Sequence, residues 1–231
     1  MKPSLSSPQR GESGLLDLFV MVIAVALVAA LFLPMLAKRR AHGSRINCAN
    51  NQKQIGLSFL LCAGDNNDKM PMQVSTNLGG TMEFVASGNV FPHFAVMSNE
   101  LGTTRIIVCP EDAKRRAGTN FDSLSDSNIS FFIAPEASHG IPALWLCGDR
   151  NLATNNVLLK PGLFTMPTNR VFSWTTELHV KKGYLCLADG SVQVSDGDGT
   201  VLPNVRLQQS VTNTLRAWLA TTNAPFQLAI P

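Results

Sequence analysis

The sequence predicts an α+β protein built on one long N-terminal helix, with an antiparallel sheet against its second half and a short helix near the C-terminus. Two observations predict it. The run Leu15–Leu36, LLDLFVMVIAVALVAALFLPML, is apolar over the ~20 residues a helix needs to cross a bilayer, and helix-compatible sequence continues beyond it. After residue 65 the chain falls into short β-branched or aromatic runs bounded by Gly, Pro, Asn and Asp, the signature of strands.

The first element is the membrane segment. Residues 1–14, MKPSLSSPQRGESG, read as a basic leader, 15–37 as a transmembrane helix, 38–64 as its continuation and 65–231 as a globular head. The apolar run exceeds the ~7–15 residues of a cleaved signal peptide and runs on into helical sequence instead of a small-residue cleavage site. A retained single-pass anchor is expected.

The second half of the helix is one-sided. Cys48, Ile55, Phe59 and Cys62 recur at helical spacing and share a face. Gly43 and Gly56 cost helicity, and the cluster Gly64-Asp65-Asn66-Asn67-Asp68 followed by Pro71 should end the helix. Strands are expected at IIVC (106–109), SFFIA (130–134), ALWLC (143–147), VFSW (171–174) and YLCLA (184–188). Asp189-Gly190 between YLCLA and SVQVS is a hairpin signal, both residues tolerating positive φ. RLQQSVTNTLRAWLATTN (206–223) places Val211, Leu215, Trp218 and Leu219 on one side of a C-terminal amphipathic helix.

Charge excludes some functions. A net charge of +3 leaves no nucleic-acid footprint. Much of the basic excess flanks the membrane segment: Lys2 and Arg10 before it, and Lys38, Arg39, Arg40 and Arg45 after it. The charge rule alone favours a cytoplasmic C-terminus.

The apolar segment resembles the N-terminal helix of type IV pilins and of type II secretion pseudopilins, in which a short basic leader ends in Gly and an acid follows near the helix start. Gly11 and Gly14 are the candidate processing sites and Asp17 the acid, third after Gly14 and sixth after Gly11, where the family places it fifth. Beyond it, CANNQKQIGLSF (48–59), DNNDKMPM (65–72), IIVCPED (106–112), CGDRN (147–151) and HVKKGYLCLADGSVQ resemble segments of a pseudopilin-like group abundant in Verrucomicrobia and Planctomycetes. The hallmark of that group is a His, nine intervening residues and Asp-Gly: His179, Asp189 and Gly190 here. The resemblance implies a pilin-like fold, an inner-membrane anchor with a periplasmic head, and partnership with membrane lipid, other pilin-like subunits and secretion machinery. It opposes the charge rule on orientation and is preferred.

The five cysteines, at 48, 62, 109, 147 and 186, include no CxxC pair or Cys/His spacing of a zinc site. In an exported domain they are expected to pair. Cys48 and Cys109 both lie in segments carrying the resemblance, and their pairing would tie the helix to the first strand. Cys147 and Cys186 replace small residues usual in that group, and each precedes a Gly-Asp or Asp-Gly turn. They are expected to be cross-strand neighbours able to form a disulfide, the alternative being two unrelated buried thiols. Cys62 is then the odd one.

Chemistry is sparse. His179 with Asp189 suggests a general base and its orienting carboxylate, but Asp189 belongs to a turn and no nucleophile elbow accompanies them. Structure is the preferred account. Asp196 and Asp198 in SDGDGT open like a calcium loop, and major pseudopilins hold calcium in a C-terminal loop. The remainder of an EF-hand is missing, and a solvated turn is the simpler reading. Gly148-Asp149-Arg150-Asn151 is read as a turn with an Asp–Arg pair, and 111–116 as an exposed charged loop. His42, His93 and His139 are scattered, which argues against a metal centre. No cofactor is required, with calcium as the one candidate. The favoured reading is a non-enzymatic anchored pilin-like subunit. An anchored binding module that never polymerises comes second, and an anchored hydrolase using His179 last.

Overall fold

The structure, a computed structural model, describes residues 13–154, 157–166, 172–179, 182–196 and 226–231. It divides into two compact units, Met1–Gly43 and Ser44–Pro231. The expected C-terminal helix 206–223 lies outside the described residues.

Helix α1 spans Ser13–Asp65. Within the first unit its window Leu16–Leu33 has a mean hydropathy of 2.9 and none of it is buried. A helix apolar on every side and exposed along its length suits hydrocarbon better than water, so the segment is compatible with a membrane anchor or a signal sequence.

In the second unit the one-sided pattern sets the packing. Cys48, Ile55 and Phe59 are fully buried, as are Gln52 and Ala63. Burying a side chain such as Ile55 or Phe59 stabilises by roughly 1.5–3 kcal/mol. The helix stops where Asn67 and Asp68 take φ of 55° and 60°, the left-handed region that Asn and Asp enter most readily after Gly. The Ala63 carbonyl accepts from the Asn66 and Asp68 amides, both at 2.9 Å.

Two short helices follow, α2 (Phe91–Ala95) and α3 (Ser98–Leu101), and then nine strands among the described residues: β1 (Phe131–Ile133), β2 (Trp145–Asp149), β3 (Leu152–Thr154), β4 (Val157–Leu158), β5 (Gly162–Thr165), β6 (Phe172–Trp174), β7 (Lys182–Leu187), β8 (Val192–Asp196) and β9 (Gln227–Ile230). Six form one sheet in the order β5-β9-β1-β2-β7-β8, and β4-β3-β6 form a second. Every pairing in both is antiparallel. The fold is a helix-plus-antiparallel-sheet α+β arrangement.

Alternation along the strands divides the core. Phe131, Ile133, Tyr184, Cys186 and Ala229 pack with the α1 side chains. Phe132, Leu185, Leu187, Leu228 and Ile230 pack with Leu152, Phe172 and Trp174 of the smaller sheet. The register shifts between Trp145 and Cys147. That irregularity lets Leu146 and Cys147 both join the α1 side while Trp145 joins the other.

Two local expectations are corrected. IIVC is not a strand: Thr104–Ile107 is a 3-10 turn, opened by the Thr103 hydroxyl accepting from the Arg105 amide at 3.4 Å. The run serves burial instead, with Ile107 and Cys109 inside the core and the Ile107 carbonyl accepting from the Ser130 amide at 3.0 Å. The hairpin β7–β8 forms as expected, but only Gly190 takes positive φ, 77°. Asp189 acts through its side chain, whose Oδ1 accepts from the Ser191 amide at 2.8 Å.

Candidate metal centre

Four side chains from four distant segments converge inside the second unit: Cys48 of α1, Cys109 just after the 3-10 turn, Asp149 at the end of β2 and His179 in the turn before β7. Their donor atoms all lie within 4.8 Å of one another. Cys48 Sγ is 3.5 Å from Asp149 Oδ1, Cys109 Sγ is 3.3 Å from His179 Nε2, and His179 Nε2 is 3.5 Å from Asp149 Oδ2. All four are buried, none more than 2% exposed.

A second ring of contacts fixes them. Gln52, one helical turn beyond Cys48, donates from Nε2 to Asp149 Oδ1 at 2.9 Å and to the Tyr184 carbonyl at 3.2 Å. The Tyr184 amide donates to Asp149 Oδ2 at 2.8 Å. The other ring nitrogen of His179, Nδ1, faces Glu111 Oε2 at 2.8 Å, and the Tyr184 ring meets the imidazole edge-on at 4.9 Å. His179 has φ of 51°, a conformation that a non-glycine residue holds only where its surroundings over-determine it.

The segment Asp149-Arg150-Asn151 builds this site. Arg150 leaves Asp149 and pairs with Asp112, Nε to Oδ2 and Nη2 to Oδ1 both at 2.7 Å, and with Glu177 at 3.0 Å. Asn151 Nδ2 donates to the carbonyls of Thr175 and Leu178 at 3.0 and 3.1 Å. Arg150 and Asn151 thus pin the loop that presents His179. This corrects two expectations: the Asp–Arg pair does not form, because burial gives each residue its own partner, and residues 111–116 are not simply an exposed loop, because Asp112 is buried and Glu111 pairs with His179.

The electrostatics follow from burial of acids beside thiols. Desolvation, then the neighbouring Cys109, pushes the Asp149 carboxyl up to about 7. Burial pushes the Cys48 thiol well up, whereas hydrogen bonding from Cys48 brings Cys109 down to about 6 against the opposing effect of its own burial. Burial opposes protonation of His179, but Cys109 and Asp149 together outweigh it and raise its pKa.

The hallmark His179 and Asp189-Gly190 separate in space. His179 has Glu111 and Asp149 as its carboxylate neighbours, while Asp189 is exposed in the hairpin beside a groove of about 470 Å³ lined by Asn50, Lys53, Gln54, Leu57, Leu60 and Gly190. The base-with-carboxylate pairing of His179 with Asp189 is corrected on this point. Cys147 and Cys186 are register partners across β2 and β7. They, Cys48, Cys109 and Cys62 are free thiols in the structure. Asp196 pairs through its backbone with Lys182; its side chain and the whole of Asp198 lie outside the described residues. Asp17 is exposed on α1 and Gly14 has open space around it, while Gly11 lies outside the described residues.

His42, His93 and His139, the scattered histidines of the sequence, are not members of this cluster; the fold instead gathers His179 with Cys48, Cys109 and Asp149, residues dozens of positions apart. A signal was present: the segments holding CANNQ, IIVCPED, CGDRN and HVKKGYLCLADG each supply one member. No protein-family model, curated protein or solved structure matches this chain.

Proposed function

We propose that the chain is a membrane-anchored, non-enzymatic pilin- or pseudopilin-like structural subunit, held in the inner membrane with its folded domain in the periplasm. One observation carries the reading: a single helix, α1, bears the apolar window Leu16–Leu33 and then, from Cys48 to Ala63, the buried face that packs into an antiparallel-sheet domain. That is the layout implied by the resemblance to pilins. The burial of Cys109 and His179 supports a structural role, since a thiol–imidazole pair closed to substrate is poorly placed for catalysis.

In such an assembly Asp17 offsets the N-terminal amine of a neighbouring subunit, because an unpaired charge in hydrocarbon is costly. Intact-mass measurement of the membrane-extracted chain tests this. Loss of the residues up to Gly11 or Gly14, with a methylated new N-terminus, and subunit cross-links between apolar segments are the expected results. An unprocessed chain that cross-links to no copy of itself overturns the assembly reading and leaves an anchored binding module, the alternative favoured by the offset of Asp17 from the family position.

A further inference from the structure

We propose that Cys48, Cys109, Asp149 and His179 hold one zinc ion in a closed, four-ligand structural site. The inference concerns the folded domain alone and does not depend on the membrane reading.

The donor set is the first argument. Two sulfurs, one imidazole nitrogen and one carboxylate oxygen are all accepted zinc ligands, and thiolates select against the hard cations calcium and magnesium. The spacing is the second. Zinc–sulfur bonds of ~2.3 Å and zinc–nitrogen or –oxygen bonds of ~2.0–2.2 Å at tetrahedral angles put neighbouring donors roughly 3.3–3.8 Å apart. Cys109 Sγ lies 3.3 Å from His179 Nε2, and the two Asp149 oxygens lie 3.5 Å from Cys48 Sγ (Oδ1) and from His179 Nε2 (Oδ2). One donor atom from each of the four residues falls within 4.8 Å of the others, near enough for a small inward shift to close on an ion.

The third argument is the surrounding shell. A metal-bound imidazole nearly always donates its other N–H to a carboxylate or carbonyl, which sets tautomer and ring angle. His179 directs Nε2 to the cluster, while Glu111 Oε2 lies 2.8 Å from its Nδ1 without the alignment of a hydrogen bond and accepts from the His179 amide at 3.2 Å. A small rotation of the ring or carboxylate would complete the Nδ1 contact; the other Glu111 oxygen lies 3.7 Å from Arg45. Asp149 is oriented by Gln52 and the Tyr184 amide. The left-handed backbone of His179 is what delivers its ring to this point.

Charge is the fourth. Two thiolates, a carboxylate and a neutral imidazole carry three negative charges, and the dication reduces this to one, inside a site from which water is excluded. On binding, the protons held by the thiols, and by Asp149 where it is protonated, leave to solvent. With four protein ligands the ion has no open position, so its work is mechanical: it clamps α1, the 109 turn, the end of β2 and the 179 turn together.

The test uses the full chain in detergent, purified without chelator from zinc-supplemented cells. One zinc per chain by elemental mass spectrometry is expected. Stripping the ion should lower Tm by about 5 °C or more, reversed by zinc chloride but not by calcium or magnesium chloride. Cobalt(II) added to the stripped chain should give thiolate-to-cobalt charge-transfer absorption and the intense visible bands of a tetrahedral site. Glu111→Gln, which leaves all four ligands in place, should weaken zinc binding roughly 10–100-fold. Cys62→Ser, on the same helix but outside the cluster, should leave it unchanged. Cys109→Ser should abolish the cobalt spectrum; as that variant is open to misfolding, the wild-type cobalt spectrum is the deciding measurement. A wild-type chain with no stoichiometric zinc and no thiolate–cobalt band overturns the proposal. So does a Cys48–Cys109 disulfide in non-reducing peptide maps.

Discussion

Arg150 grips Asp112 in a two-pronged ion pair, both contacts at 2.7 Å, with each residue only 5% exposed. The planar guanidinium matches the carboxylate edge, and Ser130 Oγ and the Lys114 amide satisfy what remains of Asp112 at 2.9 and 3.1 Å. Arg150 also reaches Glu177, two residues before His179. The pair therefore joins the 111–114 loop to the turn that presents the cluster.

Arg150→Met should destabilise the domain by roughly 3–5 kcal/mol, because it strands a buried carboxylate. Adding Asp112→Leu should recover much of that loss, and urea midpoints of the two variants check it. The pH response has a definite sign. Burial raises the Asp112 pKa, but Arg150 outweighs it and the net shift is downward. The pair's contribution is present above the unfolded carboxyl value of ~3.9 and is lost as pH falls through the lower folded value. Wild type should lose stability in that acid range more steeply than Arg150→Met.

His93 in α2 is fully buried, and its Nδ1 lies 2.6 Å from Thr81 Oγ1. Desolvation lowers its pKa to about 4. Unfolding returns it to ~6.5, so between those values the unfolded chain binds more protons and stability falls as pH drops. Going from pH 7 to 5 should cost about 2 kcal/mol through this residue. His93→Asn, which keeps a polar atom facing Thr81, should lose less stability than wild type over that interval. Equal losses in the two chains would remove His93 from the explanation.

The helix and most of the sheet were legible because period and punctuation are local. The spacing of Cys48, Ile55, Phe59 and Cys62 set the buried face, and Asn66-Asn67-Asp68 set its end. What was illegible depends on distance. Gln52 looks like an exposed helical amide until Asp149 is known to lie opposite it. IIVC has strand composition, yet its neighbours require burial more than pairing. Strand β9, at 227–230, enters between β5 and β1, and no local pattern announces an insertion from so far along the chain. The cluster is the extreme case, since its members share no spacing and only the closed fold gives them a common position.

Cys147 and Cys186 should behave as inert interior thiols. They face each other across β2 and β7, both are fully buried, and burial raises Cys147 well above an ordinary thiol. Alkylation needs both thiolate and access, and access here requires opening of central strands. Iodoacetamide should therefore label both on the order of 10³-fold more slowly in the native chain than in guanidinium. A linked 147–186 peptide from the native chain, or native labelling at the unfolded rate, would be incompatible with this.

Gly56 is a point of close approach between α1 and the β7–β8 hairpin. A Cβ added there would sit 2.5 Å from Cys186 Sγ and 3.1 Å from Gly190 Cα. The thiol belongs to a buried strand residue and Gly190 is held at φ of 77° by its turn, so neither neighbour yields cheaply. Two effects compete in Gly56→Ala. Alanine gains up to ~1 kcal/mol of helix propensity, and overpacking costs roughly 1–3 kcal/mol. The steric cost should win, for a net loss of about 1–2 kcal/mol. Gly64, on the same helix, has nothing within 4 Å of its added Cβ, so Gly64→Ala keeps the propensity gain and should stabilise by up to ~1 kcal/mol. Urea denaturation of the two variants reads the difference directly. If Gly56→Ala proved as stable as Gly64→Ala, the helix would not approach the hairpin as closely as the structure has it.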